Sequence, residues 1–178
     1  MKIQHIIGLL CLLFFSISCG EGNQDLEPCM WTAPEPSTTS CAVISSSDIQ
    51  VKMLAYINEI RAQGCTCGST YFPPASPLTW NFSLQQAAER HASDMSTNQT
   101  TTHTGSDGST APDRITAAGY SYLTWAESLA TGYASIEEVM QAWMDSPGHC
   151  ANILDSRLTE VGVAQENCYW VQVFGEPR

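Results

Sequence analysis

Basic residues are scarce in this chain. Among 178 residues, seven lysines and arginines face eighteen aspartates and glutamates, for a net charge of −11. Nucleic acids and anionic lipid surfaces are held by positive charge that releases counterions, so the composition argues against both as partners. Long apolar runs are lacking too. The longest, Ile6 to Phe15, has about ten residues where a membrane-spanning helix needs about twenty. No internal repeat is present, and the length suits one domain with a real core.

Two kinds of catalytic signature are also missing. Met144-Asp145-Ser146-Pro147-Gly148 looks like the end of a G-x-S-x-G nucleophile elbow, but the first glycine is absent and a helix rather than a strand leads into Ser146. The turn Asp107-Gly108-Ser109 lacks the further acids and closing glutamate of a calcium loop. Neither a serine hydrolase nor a calcium site is expected there.

The first residues supply what the rest lacks. MKIQHIIGLLCLLFFSISC has one lysine, a short apolar segment and small residues before Cys19, the outline of a secretory leader over residues 1–18. Ser16-Ile17-Ser18-Cys19 resembles a relaxed lipoprotein cleavage site with Cys19 as the lipidated residue; ordinary cleavage between Ser18 and Gly20 is the alternative. The expected location is extracellular or in the cell envelope, with an outer-membrane lipoprotein as the tethered form. Loss of Lys2 takes the charge from −11 to about −12.

Residues 19–46 are rich in Gly, Pro, Ser, Thr and acids and read as a disordered or disulfide-clipped tether, with the domain over 47–178. Outside the leader and Cys19, six cysteines remain: Cys29, Cys41, Cys65, Cys67, Cys150 and Cys168. On an exported chain an even count points to three disulfides. Cys65-x-Cys67 as half a metal or redox site is the less favoured alternative in an oxidising compartment.

From Ser47 the pattern turns regular. Ser47 and Gln50 form a capping box ahead of Ile49, Met53, Ile57 and Ile60, and Gly64 stops this first helix. Asn81 or Ser83 caps a second helix with Leu84, Ala87, Ala88, His91 and Met95 on its apolar face. Pro112 to Ala118 suits a short helix, and YLTWAESLATGY a strand. Ser135 and Glu138 box a further helix bearing Ile136, Val139, Met140 and Trp143. Ser146 as cap and Pro147 at the first helical position then start another, closing over Asn152 to Arg157. The alternating tail gives a hairpin turning at Glu166-Asn167. This order predicts an α+β layered domain with an antiparallel sheet.

Three histidines lie outside the leader. His91 falls on the apolar stripe and reads as a core imidazole, while His103 sits in a polar loop. His149 is the third residue of its helix, where the helix dipole disfavours the imidazolium and leaves the neutral form that a metal ligand or general base requires. Glu127, between Trp125, Ala126 and Leu129 in a strand, must face solvent or find a partner. Two imidazoles and a carboxylate would suit zinc, but the gaps between 103, 127 and 149 match no short metal motif.

Taken together, AAERHASDM, HTGSDG, DRITAAGY, WAESLATGY, WMDSPGHCANIL and TEVGVAQENCYWVQVFG resemble, in this order, the CAP superfamily of cysteine-rich secretory proteins, insect antigen 5 and plant pathogenesis-related proteins, and above all its bacterial secreted branch. The resemblance spans Ser47 to Gly175. It implies a three-layer α-β-α sandwich, with a small antiparallel sheet and a cleft lined by two histidines and two acids that binds a divalent metal in some members. Carried over by motif, the cleft residues are His103, Glu127 and His149. The second acid falls on Ser146, with Asp145 one position and about 100° of helix away. The bacterial branch also implies Cys67 with Cys150, leaving Cys65 for Cys168 and Cys29 for Cys41.

The resemblance fixes no activity and no catalytic residue. The expected function is a binding module whose cleft holds a divalent metal such as zinc, or a small apolar ligand, lipid or envelope component. A metal-dependent hydrolase would use His103 and His149 as zinc ligands, and Glu127 as third ligand or base. A disulfide-stabilised scaffold for protein contacts is the remaining reading. The chain is expected to be monomeric and to meet a membrane only through its lipid anchor.

Overall fold

In the computed structural model, which describes residues 31–35, 41 and 43–178, the periodicities of the sequence become three stacked layers. The elements are α1 (Ser46–Gln63), β1 (Cys65–Cys67), β2 (Thr70–Phe72), β3 (Thr79–Trp80), α2 (Phe82–Asn98), α3 (Ala111–Ala117), β4 (Tyr122–Thr131), α4 (Ile136–Asp145), α5 (Pro147–Leu154), β5 (Glu160–Glu166) and β6 (Tyr169–Pro177). The leader, Cys19 and Cys29 lie outside the described residues.

The central layer is a four-stranded sheet in the order β3-β5-β6-β4. Alternation along β6 sends Trp170 and Phe174 to one face and Val171 and Val173 to the other. On the first face they meet Met53, Ile57 and Ile60 of α1, Trp143 of α4 and Ile153 of α5. On the second they meet Leu84, Ala88 and Met95 of α2 and Ile115 of α3. This is the α-β-α sandwich, with one difference from an all-antiparallel sheet. Strand β3 pairs parallel with β5 through Thr79 and Trp80. Asn58 of α1 prepares that entry, because its amide donates to the carbonyl of Leu78 at 3.0 Å while its side-chain oxygen accepts from the Leu78 N–H at 2.7 Å.

Capping chemistry sets most helix boundaries. Asn81 accepts from the N–H groups of Ser83 and Leu84, and Ser135 and Glu138 form the expected box. Helix α1 starts earlier than the Ser47–Gln50 box would place it: Ser45 is the cap and accepts from the Asp48 N–H at 3.1 Å. Ser146 stands at the start of α5, yet its hydroxyl makes no cap hydrogen bond; only its carbonyl accepts, from the Cys150 N–H at 2.9 Å. The closing hairpin turns at Asn167 and Cys168, one residue later than expected, with φ of 45° and 65°. A two-residue turn with both residues left-handed matches the twist of the flanking strands.

Cys67 is joined to Cys150, which fastens the β1–β2 hairpin to α5. The other two expected pairs are corrected. Cys41, not Cys65, is bonded to Cys168, with 5.1 Å between their Cα atoms, so neither Cys65–Cys168 nor Cys29–Cys41 forms. The reason is the length of α1: 18 residues span about 27 Å, which separates Cys65 at its end from Cys41 ahead of its start. Cys65 is itself disulfide-bonded. The segment read as a tether also packs on the domain where it is described. Trp31 is buried against Tyr56, and the Ala33 N–H donates to the Gln141 side chain at 3.0 Å.

Two tight features were not evident from pattern. Arg61 is fully buried at the end of α1 and donates to the carbonyls of Ser76, Ile153, Asp155 and Leu158, tying α1 to the end of α5. Helix α2 lies so close to β5 that a Cβ on Gly162 would stand 2.0 Å from the Gln85 nitrogen. Backbone cannot yield as a side chain can. Gly162→Ala is therefore expected to lower stability by about 2–3 kcal/mol or prevent folding, while Gly148→Ala, which meets nothing within 4 Å, leaves it within about 0.5 kcal/mol. Equilibrium denaturation of the two variants checks the contrast.

Candidate functional site

The loop between α2 and α3 carries His103, and several side chains fix its course. Chain direction changes at Gln99, which adopts φ 51°. His91, buried on α2, has Nε2 at 2.8 Å from the carbonyl oxygen of Thr102. A carbonyl only accepts, so Nε2 of His91 carries a hydrogen, and burial disfavours a second one on Nδ1. Farther along, Asp94 accepts from both the N–H and the hydroxyl of Ser106.

Arg114 of α3 reaches under this loop. Its guanidinium donates to the carbonyls of His103 at 3.1 Å and Ser109 at 2.8 Å, and to Oε2 of Glu127 at 2.8 Å. Glu127 projects from β4, and its side chain is 1% exposed, as Arg114's is 2%. The second carboxylate oxygen, Oε1, lies 2.8 Å from Nδ1 of His103. A carboxylate paired with a guanidinium only accepts, so Nδ1 of His103 donates and Nε2 is left with a lone pair in the neutral ring. The ring itself is 64% exposed.

Around these residues is a cavity of about 620 Å³, walled by Thr104, Thr110, Ala111 and Pro112 on one side and by Trp125, Ala126 and Asn152 on the other. Asn152 of α5 donates to the Ser128 hydroxyl at 3.1 Å, which ties α5 to β4 across the cleft. His149, on the same helix, is half-buried. Burial first, and then the nearby His103, hold its imidazole below the ordinary histidine range. Desolvation and the second imidazole thus favour its neutral form, in the same direction as its place in the first turn of α5. His149 lies near enough to His103 for charge on that ring to bear on its own, but the cavity itself is lined by His103 and Glu127 and not by His149.

Nor does the cavity include the other two candidates. Asp145 accepts from Gln141 at 2.9 Å, and with Ser146 it lines a separate groove of about 650 Å³ beside Tyr133 and Glu137. Among the described residues, no three His, Cys, Asp or Glu side chains gather closely enough to hold a metal ion together. Each oxygen of Glu127 already accepts one hydrogen bond, which leaves the imidazole nitrogens of His103 and His149 as the less committed lone pairs for a divalent ion. Sequence reasoning passed over Arg114. The one hint was its rarity, as one of seven basic residues in the chain.

Residues 54–174 match the model of the cysteine-rich secretory protein family, CAP. The chain belongs to the CAP family. It is 31% identical over 146 residues to protein YkwD of Bacillus subtilis, a match covering 80% of this chain and 53% of that relative. The chain thus spans about half of YkwD's length. Among solved structures, an extracellular protein containing an SCP domain from Bacillus anthracis superposes with a TM-score of 0.66 at 21% identity, over 74% of this chain and 41% of that one. An outer surface protein from Borrelia burgdorferi does so with 0.64 at 23%, over 76% and 97%. At these identities the superpositions show the fold.

Within this CAP domain, His91 has a thermodynamic consequence. Burial first, then Arg114, hold its imidazole below the ordinary value, and its buried Nδ1 has no partner to receive a proton. As pH falls below about 6.5 the unfolded chain protonates first, so stability is lost progressively and the loss levels off below the folded-state value. Thermal unfolding between pH 7.5 and 5 should show this decline, and His91→Gln should flatten it.

Proposed function

We propose that this CAP domain is an exported binding module whose His103–His149 cleft holds a small ligand, with a divalent ion such as zinc at the two imidazoles. The observation that carries the reading is the state of Glu127. Its two oxygens are taken by Arg114 and His103, which makes it an orienting group. A carboxylate behind a ligating histidine fixes the tautomer and raises the basicity of the ring. Hydrolysis would need a free base at the same place, and this carboxylate is engaged on both sides.

A bound ion would supply a Lewis-acidic centre. The chain's own residues would offer it the Nε2 lone pair of His103 and the neutral ring of His149, with open positions for water or ligand atoms. Trp125, Ala126, Ala111 and Pro112 give the cavity apolar walls, and Thr104, Thr110 and Asn152 supply the polar contacts. That mixture suits a small amphipathic ligand.

Export is supported by the disulfides Cys41–Cys168 and Cys67–Cys150, which persist in oxidising compartments. It is also supported by similarity to a protein described as extracellular and another described as an outer surface protein. We assign the chain to the extracellular side or the cell envelope, with Cys19 as its lipid anchor.

Native mass spectrometry of protein refolded with intact disulfides and titrated with zinc tests the site. One ion per chain is expected, absent in His103→Ala and in His149→Ala. In Glu127→Gln it should be held about 10- to 100-fold more weakly. Binding of zinc that is indifferent to both histidines overturns the reading.

A further inference from the structure

Strand β4 stands at one margin of the sheet and, among the described residues, pairs on one side alone, with β6. Opposite residues of an antiparallel pair exchange both backbone bonds or neither. Trp125 is opposite Gly175, and the Gly175 carbonyl turns the other way, accepting from the Thr159 N–H at 3.1 Å. The N–H and C=O of Trp125 therefore face outward from the sheet. Farther along, the carbonyls of Glu127 and Leu129 share that direction and are covered, by Asn152 of α5 and Trp143 of α4, each at 3.4 Å. Among the described residues, no such side chain covers the backbone of Trp125.

The uncovered run also shows apolar side chains. Leu123 falls out of the β4–β6 register between Tyr122 and Thr124, a bulge that turns it outward, and it is 62% exposed; Trp125 is 38% exposed. Outward backbone groups with apolar side chains beside them match one kind of occupant, an extended chain whose own N–H and C=O groups repeat at the spacing of a strand. Two facts favour a short segment over a second copy of this protein. The bulge interrupts edge-to-edge pairing, and two copies at net charge −11 each repel one another. The same charge attracts a basic segment. The run also leads into the cavity beside His103, since Trp125 belongs to its wall and Asn152 closes the far end of the free edge.

We propose that β4 at Leu123–Trp125 is a docking site for an extended, basic segment of a partner polypeptide, added to the sheet edge as one more strand. Its backbone bonds to the outward groups of Trp125, its apolar side chains rest on Leu123 and Trp125, and its leading end stops at Asn152, over the cavity. Backbone pairing supplies the affinity, and the alternation of side chains supplies the selectivity. The proposal goes beyond the metal reading of the cleft, because this pairing needs neither imidazole.

The probe is a rhodamine-labelled heptapeptide, Lys-Val-Thr-Val-Thr-Val-Lys with an amidated C-terminus, and the measurement is its fluorescence anisotropy against the full disulfide-bonded protein. Saturable binding is expected, weakened by added salt, and the amide hydrogen of Trp125 should exchange more slowly in the complex. Leu123→Lys, which puts a like charge on the exposed edge without touching the core, should weaken binding at least about tenfold and leave the thermal unfolding midpoint in place. The same peptide methylated at its Val and Thr backbone nitrogens should not bind. A His103→Ala/His149→Ala protein should lose zinc and keep the peptide, so that failure of this proposal and failure of the metal reading are seen separately. Anisotropy that does not saturate by about 1 mM protein, equal binding of the methylated peptide, or a peptide-free dimer that already protects the Trp125 amide overturns the proposal.

Discussion

The ion pair between Arg114 and Glu127 lies where β4, α3 and the His103 loop meet, and the arrangement of the cleft follows from it. An isolated carboxylate in that position would carry a desolvation penalty of several kcal/mol. The guanidinium offsets part of it and, with its remaining N–H groups, pins the loop at His103 and Ser109. Truncating one partner of such a pair typically costs about 3–5 kcal/mol, because the other is left buried and charged. The same contact that stabilises this edge of the domain also orients its most accessible imidazole. Stability and site geometry are here one interaction.

The two sides of the cleft are secured independently. His103 comes from a loop stapled by His91, Asp94 and Arg114, whereas His149 comes from a short helix held by the Cys67–Cys150 bond and by the buried Arg61. Between them runs β4, an edge strand whose Asn152 contact bridges to α5. A binding site assembled this way needs no large motion to form. Its geometry is carried by the rigid sheet, which suits recognition by a preformed cavity.

Much of this was legible in the sequence, and the reasons for the rest are physical. Helices α2, α4 and α5 announce themselves through apolar spacing and caps, and the tail hairpin through alternation. His103, Glu127 and His149 were found through family resemblance, since no short spacing links residues that only the tertiary fold brings together. Arg114 was missed because a single arginine on a seven-residue helix carries no local signature of burial. The Cys67–Cys150 bond was expected, but the other two pairs were mistaken for a similar reason: which cysteines meet depends on which end of α1 each occupies. Strand β3 has two residues, too few for any alternation, and its parallel pairing is prepared by Asn58 from a distant helix.

One proton decides the arrangement of the cleft. If Arg114 holds Glu127 as a carboxylate, His103 must carry its hydrogen on Nδ1 and present Nε2 as a lone pair to the cleft. Long-range ¹H–¹⁵N correlation of the imidazole nitrogens at neutral pH reads this tautomer directly. A protonated Nδ1 with an unprotonated Nε2 at His103, lost or mixed when Glu127 is replaced by Ala, is the predicted result. A dominant Nε2–H tautomer in the native protein would contradict the orienting role of Glu127 and with it the cleft described above.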